Sequence, residues 1–361
     1  MVLSYYGKDF DLRNLNRNIE SVKKLMNERD VLMEKHKPSS FLFACRICDG
    51  DDFINFADIK DYKYVFCRKC ESVVLLNIPN VEILYDSSEA LNTMYTADIF
   101  ISEKRIKDIA VPKAAFVFKV LYETVNKYND NFPDPAPSLY RKEKAESKIW
   151  LDIGCGVGEM LAAIERLSEK NNYNYKAIGI DSDENAISFG HRQNLDIRKY
   201  HIKPGCAESD VIELVSSANV VSMFNVLEHM VEPKKMIMQL AVSMKKGSFL
   251  VIEVPRHPSL ASFTNMVFPK TSFYRHIIPP NHLQIFSEKS MNILLEKIFS
   301  LVAKWGFGQG FSDILTTAML TGGGYKDESL YNQLLDISNN VQKTVDEMGF
   351  SDAMIFVAEK I

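Results

Sequence analysis

The chain has 361 residues, 46% of them hydrophobic and 25% charged, with a formal net charge of -4 at pH 7. These proportions are those of an ordinary soluble protein with room for two or three domains, and they exclude an overall electrostatic pull toward nucleic acid or an anionic membrane, though not a local basic patch. The first residues, MVLSYYGKDFDLRN, lack a basic-then-apolar leader pattern and no uninterrupted apolar run is long enough to cross a bilayer, so a cytoplasmic protein without a membrane partner is expected.

Residues 1–40 read as a helical arm, because Leu12, Leu15, Ile19, Val22 and Met26 recur at helical spacing between 11 and 33. The apolar seam is narrow, suited to the chain's own body or to a second copy in a homodimer. Residues 41–78 carry the pattern C-x2-C-x18-C-x2-C, formed by Cys45, Cys48, Cys67 and Cys70. Each pair places two thiolates on a tight knuckle, and the alternation of Tyr62, Tyr64 and Phe66 suits a hairpin that brings the knuckles together. A zinc ribbon with a structural Zn2+ is expected, since four protein ligands leave no position for water. Its Arg46, Arg68 and Lys69 are outweighed by Asp49, Asp51, Asp52, Asp58, Asp61 and Glu71, which argues against a phosphate grip.

Residues 79–147 form a helical region with many aromatics, including Tyr95, which is a candidate to reach substrate, and a helix expected from Pro112. The stretch NFPDPAPSLYRKEKAESK, proline-rich and then charged, reads as an exposed connection. In KIWLDIGCGVGEM, Ile149, Trp150, Leu151 and Ile153 form a short buried strand, and Gly154, Gly156 and Gly158 turn the backbone into a helix carrying Met160, Leu161, Ile164 and Leu167. A dinucleotide turn, G-x-G-x-x-G, would place its third glycine at Glu159. The spacing here is G-x-G-x-G, preceded by Asp152, and acidic groups suit a ligand with an amine and a sulfonium better than one with two phosphates.

This strand, Asp and three-glycine turn resembles motif I of the class I S-adenosylmethionine-dependent methyltransferases, with another Rossmann-like nucleotide binder as the alternative. The resemblance implies that Asp152, Gly154, Cys155, Gly156 and Gly158 line the cofactor. The next strand, NYKAIGID, ends at Asp181, placed to accept both ribose hydroxyls, with Ser182 beside it. Cys206, Ala207 and Glu208 follow a third strand and are candidates to flank the adenine. The fourth strand ends at Phe224 and delivers Asn225, Val226, Leu227, Glu228 and His229 to the carboxyl edge of the sheet, where ligands bind in open α/β folds. A helix is expected from Pro233 to Gly247, then a fifth strand SFLVIEVPR, then an insertion over 257–286, rich in Phe, Tyr, His and Pro, that reads as a lid over a substrate pocket. The core spans 148–311; residues 312–361 add a helix with Leu330, Leu334, Ile337, Val341 and Val345 and the last strand, DAMIFVAEKI.

The expected fold class is α/β: a Rossmann-like sheet with helices on both faces, an N-terminal zinc ribbon and helical additions. The four-cysteine segment, the N-V-L-E-H string and the later N-H-L-x-x-F-S string, across residues 41 to about 310, resemble zinc-containing methyltransferases that include deoxysugar C-methyltransferases. What that implies is S-adenosylmethionine-dependent O- or C-methylation of a nucleotide-linked sugar or related carbohydrate or natural-product intermediate, with His282 or His229 as general base. One departure is Asn281, where those enzymes carry an acidic residue before the histidine. The alternatives are a zinc-ribbon RNA methyltransferase and a scaffold that binds the donor without turnover.

Overall fold

A computed structural model describes residues 2–7, 27, 30–80, 103–129, 147–200, 209–267, 276–321 and 327–361. The strands are β1 (Leu3–Tyr6), β2 (Ser40–Phe41), β3 (Phe53–Ile59), β4 (Tyr62–Cys67), β5 (Val73–Leu75), β6 (Asn77–Ile78), β7 (Lys148–Ile153), β8 (Tyr175–Asp181), β9 (Ile197–Lys199), β10 (Val220–Phe224), β11 (Phe249–Pro255), β12 (Gln284–Ile285), β13 (Phe299–Phe307) and β14 (Ala353–Lys360). The longer helices are α1 (Val111–Asn129), α2 (Glu159–Asn171), α3 (Glu184–Arg192), α4 (Ser209–Ser217), α5 (Pro233–Ser243), α6 (Leu260–Val267), α7 (Glu288–Leu295), α8 (Gly310–Thr321) and α9 (Glu328–Glu347).

The large sheet runs β1-β13-β14-β11-β10-β7-β8-β9. Its strands from β11 to β9 are parallel, while β14 is antiparallel to both β11 and β13. At the centre, Trp150, Leu151 and Ile153 of β7 are at most 1% exposed, as a strand covered on both faces requires. Burying each such side chain contributes about 1.5–3 kcal/mol. One layer packs Leu151, Ile153, Val221 and Met223 with Met236, Ile237 and Leu240 of α5. The opposite layer packs Trp150 with Phe118 and Leu121 of α1 and Met160, Leu161 and Ile164 of α2. The α/β class with helices on both faces is therefore as expected from the sequence.

Two assignments need correction. The arm over residues 1–40 opens on a strand: β1 pairs in parallel with β13, Leu3 opposite Ala303 and Tyr6 opposite Gly306. Four residues are too few for a period to show, and their hydrogen bonds come from a strand almost 300 residues away in the chain. Of the helix expected over 11–33, residues 27 and 30–33 are described, and they are helical. The insertion over 257–286 ends in β12, which joins the small antiparallel sheet in the order β12-β5-β4-β3. Its last residues are thus a strand of the cysteine-bearing sheet, with Gln284 opposite Val74 and Ile285 opposite Val73. Such edge pairing depends on an unpaired β5 rim, which local sequence does not report.

Candidate active site and metal centre

The four cysteines converge as their spacing predicted. Cys45 Sγ lies 3.6 Å from Cys70 Sγ and Cys48 Sγ 3.6 Å from Cys67 Sγ. All four are buried, and one sulfur from each lies within 4.8 Å of the others. Burial pushes the Cys48 thiol up to about 11. The Cys45–Cys70 hydrogen bond pushes Cys45 up and Cys70 down, to about 5, so the pair holds its proton on one sulfur. Four buried thiols gathered against one another fit a thiophilic tetrahedral ion.

At the carboxyl edge of the large sheet the turn after β7 needs its glycines. Gly154, Gly156 and Gly158 have φ of 67°, 53° and 89°. A Cβ on Gly154 would stand 2.6 Å from Val226 Cγ2, which ties this turn to the loop after β10. The Gly156 N–H donates to Asp181 Oδ2 (2.7 Å), and the Asp183 N–H donates to Asp181 Oδ1 (2.9 Å). Burial still raises the Asp181 carboxyl above its usual range, against the pull of the Asp183, Gly156 and Ser182 N–H groups. Asp183 is the N-cap of α3, accepting from the Asn185 and Ala186 N–H groups. Cys155 sits in the turn with its thiol raised by burial and by Asp152 and Asp181.

Asp152 faces inward. It is 2% exposed and accepts from Ser222 Oγ (2.6 Å), which in turn accepts from Trp150 Nε1 (2.9 Å). Desolvation pushes its carboxyl up to about 7, with Asp181 and Glu253 adding to the rise and Ser222 and Lys113 opposing it. Glu159, at the start of α2, is held by a bidentate pair with Arg105 (2.7 and 3.0 Å). Asn225 adopts φ 56° at the tip of β10, and its Nδ2 donates to Glu253 Oε1 (3.2 Å), itself paired with Lys113 Nζ. Tyr95, Ala207 and Glu208 lie outside the described residues.

His229 and His282, 53 residues apart, meet edge to face with ring centroids 4.8 Å apart. Glu228 joins them: one ligand atom from each of the three lies within 4.8 Å of the others. The loop and the distant segment are laced together by three links. His229 Nδ1 lies 2.8 Å from the Asn281 carbonyl, the Leu283 N–H donates to the Glu228 carbonyl (2.8 Å), and Gln284 Nε2 donates to the carbonyls of Leu227 and Met230 (2.8 Å each). From the small sheet, Tyr64 Oη donates to the His282 carbonyl (2.7 Å). Burial lowers the His229 imidazole, opposed by the carbonyls of Asn281 and Asn225. Glu228 is 0% exposed, neither carboxyl oxygen has a hydrogen-bond partner among the described residues, and burial pushes it up to about 8. Sequence reasoning brought Glu228 to the sheet edge but did not single it out, and missed Lys113, Ser222 and Glu253. The only available signal for Glu228 was its place in N-V-L-E-H.

The sheet with its single reversed strand inside the edge, the glycine turn and the acidic residue ending β8 define a class I S-adenosylmethionine-dependent methyltransferase domain. Residues 125–298 match the methyltransferase domain family, and the protein is a methyltransferase of that cofactor class. No curated protein matches the chain. Among solved structures it is similar to an S-adenosylmethionine-dependent methyltransferase from Archaeoglobus fulgidus, at 19% identity and TM-score 0.37 over 68% of this chain and 99% of the other. It is also similar to the plantazolicin methyltransferase BpumL in complex with SAH, at 17% identity and TM-score 0.40 over 78% of this chain and 96% of the other. A third likeness is to coclaurine N-methyltransferase bound to N-methylheliamine and SAH, at 14% identity and TM-score 0.36 over 66% and 72% of the two chains. Among the described residues, no helix is long and apolar enough to cross a membrane.

Proposed function

We propose that this enzyme methylates an oxygen or carbon of a small-molecule acceptor, with a nucleotide-linked sugar or related carbohydrate or natural-product intermediate as the acceptor class. The observation that carries the reading is the Glu228, His229 and His282 cluster beside the glycine turn. Val226, which packs on Gly154, is only two residues from Glu228 in the chain, and this supports placing the acceptor's nucleophile between the cluster and the cofactor crevice. The backbone from Gly154 to Gly158 and the Asp181 carboxyl are the groups assigned to hold S-adenosylmethionine, with Asn225 and Ser182 flanking them. That cofactor supplies an electrophilic methyl on a sulfonium with a good leaving group. What the chain adds is alignment, exclusion of water and a place for the acceptor's proton.

An alcohol keeps its proton at neutral pH, and an imidazole beside a buried carboxyl is suited to receive it. The acid missing at Asn281 has a counterpart in Glu228, contributed from another element, and this supports keeping carbon methylation next to a ketone alongside oxygen methylation. The sugar assignment rests on the four-cysteine, N-V-L-E-H and N-H-L-x-x-F-S pattern, while the acidic side chains of the small sheet count against RNA. In the same reading the four cysteines hold a structural Zn2+, which stabilises that sheet. The deciding experiment offers isotopically labelled donor to panels of nucleotide-linked sugars and of RNA. Label on a sugar bears the reading out, whereas label on RNA or on neither sinks it.

A further inference from the structure

The Glu228, His229 and His282 cluster has the composition and the support of a metal site distinct from the four cysteines. Burying a carboxyl group without a partner costs the desolvation of each polar atom left unpaired, and more once the group ionises. Among the described residues both Glu228 oxygens are in that condition at 0% exposure, and two imidazoles lie within ligand distance of it, with Glu253 and Lys113 as further charged neighbours. The imidazoles are oriented as ligands are. His229 Nδ1 lies 2.8 Å from the Asn281 carbonyl and His282 Nδ1 lies 2.8 Å from the His276 carbonyl. A carbonyl oxygen only accepts, so in the neutral ring each Nδ1 carries the proton and the lone pair is on Nε2, the arrangement that a backbone acceptor imposes on metal-bound histidine.

The spacing also serves. Bonds of about 2.0–2.2 Å to nitrogen and carboxylate oxygen at tetrahedral angles place ligand atoms about 3.4 Å apart, so donors within 4.8 Å close on an ion with side-chain shifts of up to about 1 Å. The supports on either side are fixed in place, since Leu283 and Gln284 bind the backbone of the Leu227–Met230 loop directly.

We propose that Glu228, His229 and His282 bind a divalent cation of borderline softness, Zn2+ or a first-row neighbour, through two imidazoles and one carboxylate. Two nitrogens and one oxygen leave coordination positions open, the opposite of the four-cysteine site. Those positions suit an acceptor that presents a hydroxyl beside a second oxygen donor. The inference deepens the function proposed above. An ion there lowers the acidity barrier of the bound hydroxyl, the task that otherwise falls to an imidazole acting as base.

The test uses the full chain stripped of metal and titrated with Co2+, read by visible spectroscopy and metal analysis, with S-adenosylhomocysteine binding measured by calorimetry on the same samples. The first ion is expected to bring thiolate-to-metal charge-transfer bands from the four cysteines. A second ion per chain then adds ligand-field bands with no further charge-transfer intensity. In Glu228→Gln and His282→Asn the second event weakens about tenfold or more, while the thiolate bands and S-adenosylhomocysteine binding persist and show that the variants fold. Saturation after the sulfur-bound ion in the wild-type chain overturns the inference, as does a second event of equal affinity in both variants. A second ion without S-adenosylhomocysteine binding would instead count against the transferase assignment and leave the metal site standing.

Discussion

Cys45, Cys48, Cys67 and Cys70 are four identical soft donors with exposures of 0–6%, whereas Glu228, His229 and His282 combine one fully buried carboxyl with two half-buried imidazoles. The first set comes from two knuckles of one short hairpin region and has the four donors that would saturate a tetrahedral ion. The second comes from a loop after β10 and from a segment more than 50 residues later, and leaves room for a further ligand. What the difference teaches is how a small sheet can serve a reaction it does not face. β5 carries the strand β12 that follows His282, and Ser287 Oγ, past the end of β12, donates to the Cys70 carbonyl (2.5 Å). The cysteine cluster and the segment that presents His282 are thus joined through β5 and β12, so an ion held by the four cysteines would stiffen the support of His282.

The largest effect that would break this comparison comes from the cysteines. Cys48→Ala, or removal of the ion with a chelator, is expected to cost the small sheet about 5 kcal/mol or more. Hydrogen exchange should then speed up at Leu283 and Gln284 as well as in β3 to β5. If Leu283 stays protected once the ion is gone, the two centres are independent.

Next comes His282→Gln, expected to lower turnover by about 100- to 10,000-fold while the dissociation constant of S-adenosylhomocysteine stays within about threefold. Parallel losses in both quantities would make His282 a packing residue.

Asp152→Asn sharpens the other side of the comparison, the cofactor turn. Burial raises the folded-state Asp152 from 3.8 to about 7, so the folded protein holds this proton more tightly than the unfolded chain. Stability from this group is fully present below about pH 3.8 and is lost as pH rises through 7. The amide variant, which keeps a partner for Ser222, should therefore be more stable than wild type by about 2–4 kcal/mol at pH 8 and about equal to it near pH 4. Urea unfolding at the two pH values measures the difference, and a gap that does not change with pH removes Asp152 as its source.

The smallest effect is expected from Tyr64→Phe. Losing the hydrogen bond to the His282 carbonyl should cost about 1 kcal/mol and lower turnover a few-fold, with the zinc content of the protein unchanged. Unaltered kinetics would mean that β12 pairing alone holds His282.

Sequence by itself determined the features in which a few adjacent residues decide the geometry. The β7 apolar run followed by Gly154, Gly156 and Gly158 specifies a strand and a left-handed turn, because only glycine adopts those φ values at little cost. The two C-x2-C knuckles fix which sulfurs meet, and Asp181 is found because a strand beside the turn must end near it. Tertiary structure alone decided the rest. Asp152 looks like a ligand group in the sequence, yet strand alternation turns it into the sheet and onto Ser222. Glu228 and His229 become chemically distinctive only when β12 pairs with β5 and brings His282 against them, and β1 exists only because β13 offers an edge. Such contacts depend on backbone hydrogen bonds between segments far apart in the chain, and no local pattern of side chains records which edge a strand will join.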